Sequence, residues 1–300
     1  MADDSQNRAR APGRRAADKN VRASINDDIT VVITCFNYGG YLPEAVASAL
    51  GQEGGAPQVT VVDDGSSEEE TIRALEQLPD QVTVIRQANA GLSAARNTGL
   101  RTADTSYLIV LDADDRLAPG ALTLMRAPLD REPELGFSYG MARFFGAWEG
   151  TLKFPPYDPY KLLYRHIVGS TTLMRRELFE DVGGFDPEFH EYEDWEFWLH
   201  ALERGWRGQN VDGVTLLYRR HGDTMYTGAR GRYHMWYRRL REKHPDLYAR
   251  TARRQFAAQS DLGSLGRAVY RWWWGARPLP ARVELALYGL LWRATSRQSG

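Results

Sequence analysis

The chain has 300 residues, 43% apolar and 26% charged, with a formal net charge of −1. That is long enough for one large or two small domains with a proper core. Its longest apolar run, residues 285–292, falls far short of the roughly 20 residues that span a bilayer. The single cysteine, Cys35, excludes an intrachain disulfide and points to a reducing compartment.

The charge is unevenly spread. Residues 1–24 carry six Lys/Arg against three acids, residues 25–226 carry 17 against 32, and residues 227–300 carry 15 against four. An acidic body thus lies between a basic head and a strongly basic tail. The head has no periodicity and reads as a disordered segment over 1–26. It also lacks the apolar stretch of a secretory signal, so the expected location is cytoplasmic.

In chain order, "ITVVIT" (29–34) predicts a buried strand and "LPEAVASAL" (42–50) a helix. "QVTVVDD" (58–64) is a second strand. "SSEEETIRALEQL" (66–78) is a helix that a Ser67-x-x-Glu70 capping box would open. "VTVIR" (82–86), "LSAARNTGLRTA" (92–103) and "YLIVLD" (107–112) continue the strand–helix alternation. Apolar, β-branched strands separated by single helices predict a parallel α/β sheet with helices on both faces. Beyond Pro119 the pattern predicts a helix near 120–130 and strands at 136–145, 169–176 and 214–220, with a helix at 193–205 between the last two. A helical, aromatic-rich extension follows over 227–300.

In such a sheet, ligands bind outside the carboxyl ends of the strands. The four predicted parallel strands run into Thr34-Cys35-Phe36-Asn37, Asp63-Asp64-Gly65-Ser66, Gln87-Ala88-Asn89-Ala90-Gly91 and Asp112-Ala113-Asp114-Asp115. Any one of these is ordinary turn chemistry; four facing one crevice are not. Acids at the end of a buried strand repel each other and cost desolvation energy. A divalent cation, Mn2+ or Mg2+, held together with a diphosphate would relieve them. The run "TCFNYGGY" contains neither the G-x-G-x-x-G of a dinucleotide oxidoreductase nor the basic phosphate loop of a sugar-nucleotide pyrophosphorylase.

The segments "VVITCFNYGGYLPEAVASAL", "VTVVDDGSSEEE", "NAGLSAARNTGL", "LIVLDADDRLAPGAL", "DVGGFDPEF" and "EYEDWEFWLHAL" follow one another in an order and spacing that resembles family 2 glycosyltransferases of the GT-A fold. The resemblance covers roughly residues 28–222. It implies a GT-A, Rossmann-like domain over 27–226, divided into a nucleotide-sugar half (27–118) and an acceptor half (119–226). It also implies inverting, metal-dependent transfer of a hexosyl group from a nucleoside-diphosphate sugar, with UDP favoured. The acceptor would be a hydroxyl of a glycan or lipid-linked acceptor, in cell-surface polysaccharide assembly.

Residue by residue, the resemblance places Thr34, Phe36, Asn37, Asp64, Arg96 and Asp112 at the nucleotide. It places Asp114, Asp112 and His221 at the metal, and makes Asp194 the general base, with Glu193 as alternate. Glu193, Trp195, His166 and His190 fall on the acceptor side; Trp198 reads as core. The Q-x-x-R-W signature of processive synthases is absent, so a non-processive enzyme is expected. The alternative is a non-catalytic module on the same fold that binds a nucleotide sugar or a glycan. The basic, tryptophan-rich stretch 267–298 has two readings: a segment lying on an anionic membrane surface, on the inner face of the cell membrane, or a helical appendage packing on protein, including a homodimer partner. Nothing resembles a nucleic-acid recognition module.

Overall fold

The computed structural model describes residues 25–147, 149–221, 231–279 and 283. Four parallel strands come first: β1 (Ile29–Cys35), β2 (Gln58–Asp63), β3 (Val82–Arg86) and β4 (Tyr107–Asp112). Helices α1 (Leu42–Leu50), α2 (Glu69–Glu76) and α3 (Leu92–Thr102) connect them. The rest of the sheet is β5 (Arg116–Leu117), β6 (Leu135–Gly146), β7 (Gly150–Leu152), β8 (Leu173–Arg175) and β9 (Arg207–Arg220). Their helices are α4 (Ala121–Arg131), α5 (Pro159–Leu162), α6 (Arg176–Val182) and α7 (Glu193–Glu203). Beyond β9 come α8 (Tyr233–Lys243), α9 (Arg250–Gln259) and α10 (Ser264–Tyr270).

The sheet order is β3-β2-β1-β4-β8-β6-β9-β5, with β7 on β6. The parallel first half is as expected, and β6 and β9 are also parallel. β8 runs antiparallel to both β4 and β6, so it joins the halves with reversed polarity. The predicted 169–176 strand shrinks to three residues. The 214–220 strand instead begins at Arg207, because it pairs along β6 through register shifts that let both strands curl.

Alternation along the central strands sends side chains to two cores. Val32, Val62, Leu108 and Val110 face α3, α6, α7 and α8. Val31, Ile33, Val61, Ile109 and Leu111 face α1 and α4. Gly99 explains how closely α3 approaches the sheet: a Cβ there would lie 2.3 Å from Val32 Cγ1. The extension shares the first core through Tyr233, Trp236 and Leu240. Among the described residues no helix is long and apolar enough to cross a membrane. Residues 1–24, 280–282 and 284–300, including about half of the predicted membrane-surface stretch, lie outside the described residues.

The expected Ser67 capping box is not formed. Helix α2 starts at Glu69 without a cap from its own N-cap side chain, and Asn37 Oδ1 accepts from the N–H groups of Ser67 (2.9 Å) and Glu68 (3.1 Å) instead. A residue 30 positions upstream thus fixes the two N–H groups that lead into the helix.

Candidate active site

The carboxyl ends of β1, β2 and β4 open on one crevice. At β1, Thr34 is buried and its Oγ1 has no hydrogen-bond partner, while Phe36 stands 45% exposed. Thr34 is in register with Asp112 of β4 and Val62 of β2. An orphaned hydroxyl beside an open aromatic face is an arrangement a ligand completes. Asn37 adopts φ +56 and links the β1 and β2 loops, its N–H donating to Ser66 Oγ. Its Oδ1 is used to hold the turn that leads into α2.

Asp64 is likewise turned inward. It accepts from Gln87 Nε2 (2.7 Å), Ala90 N–H (2.9 Å) and Gly91 N–H (2.9 Å), which fixes the 87–91 loop. Oδ1 is thus filled, while Oδ2 carries a single bond. Asp63 Oδ1 accepts from Ser66 N–H, and Gly65 supplies the positive φ (+78) that this turn needs.

Arg96 departs most from its predicted role. It is 1% exposed; Nη1 donates to Glu193 Oε1 (2.7 Å) and Nη2 to Asp112 Oδ1 (3.0 Å). Burial opposes its charge, but Asp112, Glu193 and Asp194 outweigh burial and raise its pKa. Arg96 is therefore an internal cation joining the end of β4 to the start of α7, and it has no surface left for a nucleotide. Its neighbour Asn97 clamps the 183–186 turn, donating to Phe185 C=O and accepting from Phe185 N–H.

The next acids are held by the end of β9. Arg219 donates from its backbone N–H to Asp115 Oδ1 (2.8 Å) and from Nε to Asp114 C=O (2.8 Å). Arg219 was not anticipated; two arginines ending a strand just before His221 were the available signal. His221 Nε2 lies 2.8 Å from Asp114 Oδ2, and its ring stacks on Tyr41 at 5.0 Å. Burial, then Asp112, raise the Asp114 pKa against the opposing pull of His221. Burial also pushes Asp115 well up.

The predicted metal residues thus meet. Among the described residues no three His, Cys, Asp or Glu side chains form a cluster able to hold a metal ion. Asp114 and His221 form a two-residue set beside the partly exposed Asp112. An oxygen-rich partial set fits Mn2+ or Mg2+, whose remaining positions are filled by phosphate oxygens and water.

On the opposite side, α7 begins after Tyr192, whose φ of +59 is rare for a non-glycine residue. Asp194 Oδ2 lies 3.0 Å from His166 Nε2, an ion-pair distance at an angle outside hydrogen bonding, and Oδ1 accepts from Trp195 N–H. Burial raises the Asp194 pKa, but His166 and Arg96 outweigh it and leave it below the ordinary Asp value. His166 moves oppositely: burial lowers it, yet Asp194 and Glu193 carry it above 6.5. Burial leaves Glu193 raised despite Arg96.

Three acceptor-side assignments are corrected. Glu193 is buried on Arg96. Trp195 is fully buried, stacked on Tyr233 and Tyr237, with Nε1 donating to Leu162 C=O; no sugar reaches its face. His190 is exposed and packs edge-on to Trp236 at 6.5 Å, away from the acids. Trp198 is core, as expected. Of the side chains in the acceptor set, only that of His166 pairs with Asp194.

A parallel half with acidic strand ends, joined through a reversed strand to a mixed half, is the GT-A glycosyltransferase architecture. The solved structure of Staphylococcus aureus TarS in complex with UDP-GlcNAc shares it, with a TM-score of 0.60 at 18% identity over 80% of this chain and 69% of that one. The glycosyl transferase family 2 model matches residues 30–183, and one described as the N-terminal domain of galactosyltransferase matches residues 152–224. The chain belongs to glycosyl transferase family 2. It is 27% identical over 184 residues to an uncharacterized glycosyltransferase of Haemophilus influenzae, covering 58% of this chain and 62% of that protein. It is 28% identical over 185 residues to chondroitin synthase of Escherichia coli, covering 59% and 27%. The chain therefore spans less than two thirds of the length of either relative.

Proposed function

We propose that this chain is an inverting, non-processive glycosyltransferase. It moves a hexosyl group from a nucleoside-diphosphate sugar, with UDP favoured, to a hydroxyl of a glycan or lipid-linked acceptor in cell-surface polysaccharide assembly. The observation that carries this reading is the pairing of Asp194 with His166 at the start of α7, one residue from the Arg96–Glu193 bridge to the donor crevice. A carboxylate kept ionised across a bridge from the strand ends is what single displacement requires of a base.

Asp194 takes the proton from the acceptor hydroxyl. The acceptor oxygen forms its bond to the anomeric carbon while the bond from that carbon to the β-phosphate oxygen breaks, and the electron pair leaves with the nucleoside diphosphate. Thr34 and Phe36 bind the nucleotide; Asp112, fixed by Arg96, orients the donor. His166, protonated below its raised pKa, keeps Asp194 ionised. A divalent cation held by Asp114 and His221 would supply charge neutralisation of the leaving diphosphate. UDP-GlcNAc binding by TarS and the chondroitin synthase likeness support the donor class and the polysaccharide context.

The test is Asp194→Asn, with donor binding and sugar transfer measured in parallel. Retained donor binding with transfer reduced at least about 100-fold is expected for loss of a general base. Unchanged transfer would remove Asp194 from the reaction. Donor binding with no transfer even by the unaltered chain would make it a binding module.

A further inference from the structure

Helix α9 has its charges at the wrong end. Helix N-termini favour acids, because the unpaired N–H groups and the macrodipole are positive there. The first turn of α9 contains no acid; Arg250 opens it, and Arg253 and Arg254 follow. With Ala257 they share one face by i, i+3, i+4, i+7 spacing.

That face lines a depression of about 300 Å³ with Tyr160, Tyr164 and Arg271. None of the four arginines has a carboxylate partner among the described residues. The nearby acids are already taken: Lys161 Nζ lies 2.7 Å from Asp261 Oδ1 and 3.7 Å from Asp158 Oδ2. Tyr164, 4% exposed, lines the depression with a hydroxyl that has no hydrogen-bond partner, and Arg253 Nε is buried and unpartnered too. Four uncompensated guanidinium groups, a helix N-terminus and an orphaned hydroxyl together form an incomplete anion site.

Beside it, Leu265, Val269 and Trp272 are 77%, 54% and 55% exposed, at i, i+4, i+7 along α10 and the turn of helix that continues it through Arg271–Gly275. Arg271 of the depression falls between Val269 and Trp272 in the chain. Exposed apolar residues on one face next to unpaired arginines match the chemistry of an anionic bilayer surface: phosphate for the guanidinium groups, acyl boundary for Leu265, Val269 and Trp272.

We propose that the Arg250–Arg253–Arg254–Arg271 depression binds the phosphate of an anionic lipid headgroup, and that Leu265, Val269 and Trp272 enter the interface alongside it. The site is separate from the donor crevice and does not rest on the reading of Asp194. It would hold the catalytic domain against the surface where lipid-linked acceptors lie.

The test uses the full chain and sedimentation with two kinds of vesicle: pure phosphatidylcholine, and phosphatidylcholine containing phosphatidylglycerol. Binding to the anionic vesicles alone, weakening as salt is raised, is expected. The triple variant Arg250→Gln, Arg253→Gln, Arg254→Gln should bind them roughly 100-fold more weakly, at about five-fold per arginine. Leu265→Ser, Val269→Ser, Trp272→Ser should also lose binding. Both variants should keep the thermal midpoint and its rise with UDP, which separates this site from folding and from the donor site. Equal binding to both vesicle types, or unweakened binding by the arginine variant, would overturn the proposal. So would absent vesicle binding with a thermal midpoint raised by inorganic phosphate in the wild type but not in the arginine variant, which would assign the site to a soluble phosphate.

Discussion

Replacing Arg96 tests the internal bridge most directly. In Arg96→Met the side chain keeps its apolar length, but Glu193 and Asp112 lose their cation. The two pairs are not equivalent. Asp112 is 35% exposed at its side chain, so solvent screens it and its pair contributes at most about 1 kcal/mol. Glu193 is 7% exposed, and removing the partner of a buried charge costs about 3–5 kcal/mol. The expected destabilisation at pH 7 is therefore about 3–5 kcal/mol, nearly all of it from Glu193.

The pH dependence supplies the check. Burial already raises the Glu193 pKa with Arg96 present, and without Arg96 it rises further. An acid whose folded pKa exceeds its unfolded value binds more protons in the folded state between those two values, so the variant loses stability as pH rises through that window. Urea unfolding of both proteins at pH 7 and pH 5 should show the difference shrinking at pH 5, as Glu193 takes up a proton. Arg96→Lys should fall between them, because one ammonium cannot reach both carboxylates in fork geometry. A difference below about 1 kcal/mol at pH 7, or one equal at both pH values, would refute the account of Arg96 as an internal counter-charge.

Other outcomes follow from the same geometry. His166→Gln removes the largest influence holding the Asp194 pKa down, so the acidic limb of kcat/KM should move to higher pH; a lower rate with an unmoved limb would make His166 structural only. Asp114→Asn should abolish the manganese-dependent part of the thermal midpoint rise with UDP. A nucleotide at about 100 times its dissociation constant adds roughly 2.7 kcal/mol, or about 5–10 °C for a domain this size; a full rise in the variant would place the cation elsewhere. Burial lowers the His244 pKa, but contacts to Glu196 (3.0 Å) and Glu203 (2.8 Å) leave it raised above 6.5. Its stabilisation is complete below pH 6.5 and is lost as pH rises through the folded value. His244→Gln should therefore flatten the fall in stability as pH rises above 6.5, as read by urea midpoints; an unchanged slope would exclude His244 as the titrating group.

The parallel half was legible because its strands declare themselves through composition and its site residues follow them directly in the chain. Asp114 and His221 were found to meet for the same reason: each closes a strand at one end of the sheet. Where the reading failed, the cause was charge compensation across the chain. Arg96 lies on a helix where an arginine ordinarily reaches solvent. Its burial depends on Glu193, 97 residues away, and no local pattern carries that distance. Asn37, assigned to the nucleotide, also fixes the turn into a helix 30 residues on, which no local pattern shows. The resemblance puts Trp195 and Glu193 on the acceptor side, but it does not cover the residues that bury α7. The extension closes over it: Trp236 Nε1 donates to Glu191 Oε2 (2.7 Å), and Tyr233 and Tyr237 stack on Trp195. The acids that remain partly open, Asp112 and Asp114, are those whose compensation the chain leaves incomplete. Buried acids such as Glu193 and Asp115 have protein partners, so partial exposure with a partial partner set is the criterion by which we propose Asp112 and Asp114 for the ligand. Asp194 meets that criterion on the acceptor side: its side chain keeps 14% exposure, and its main partner, His166, can give up its charge.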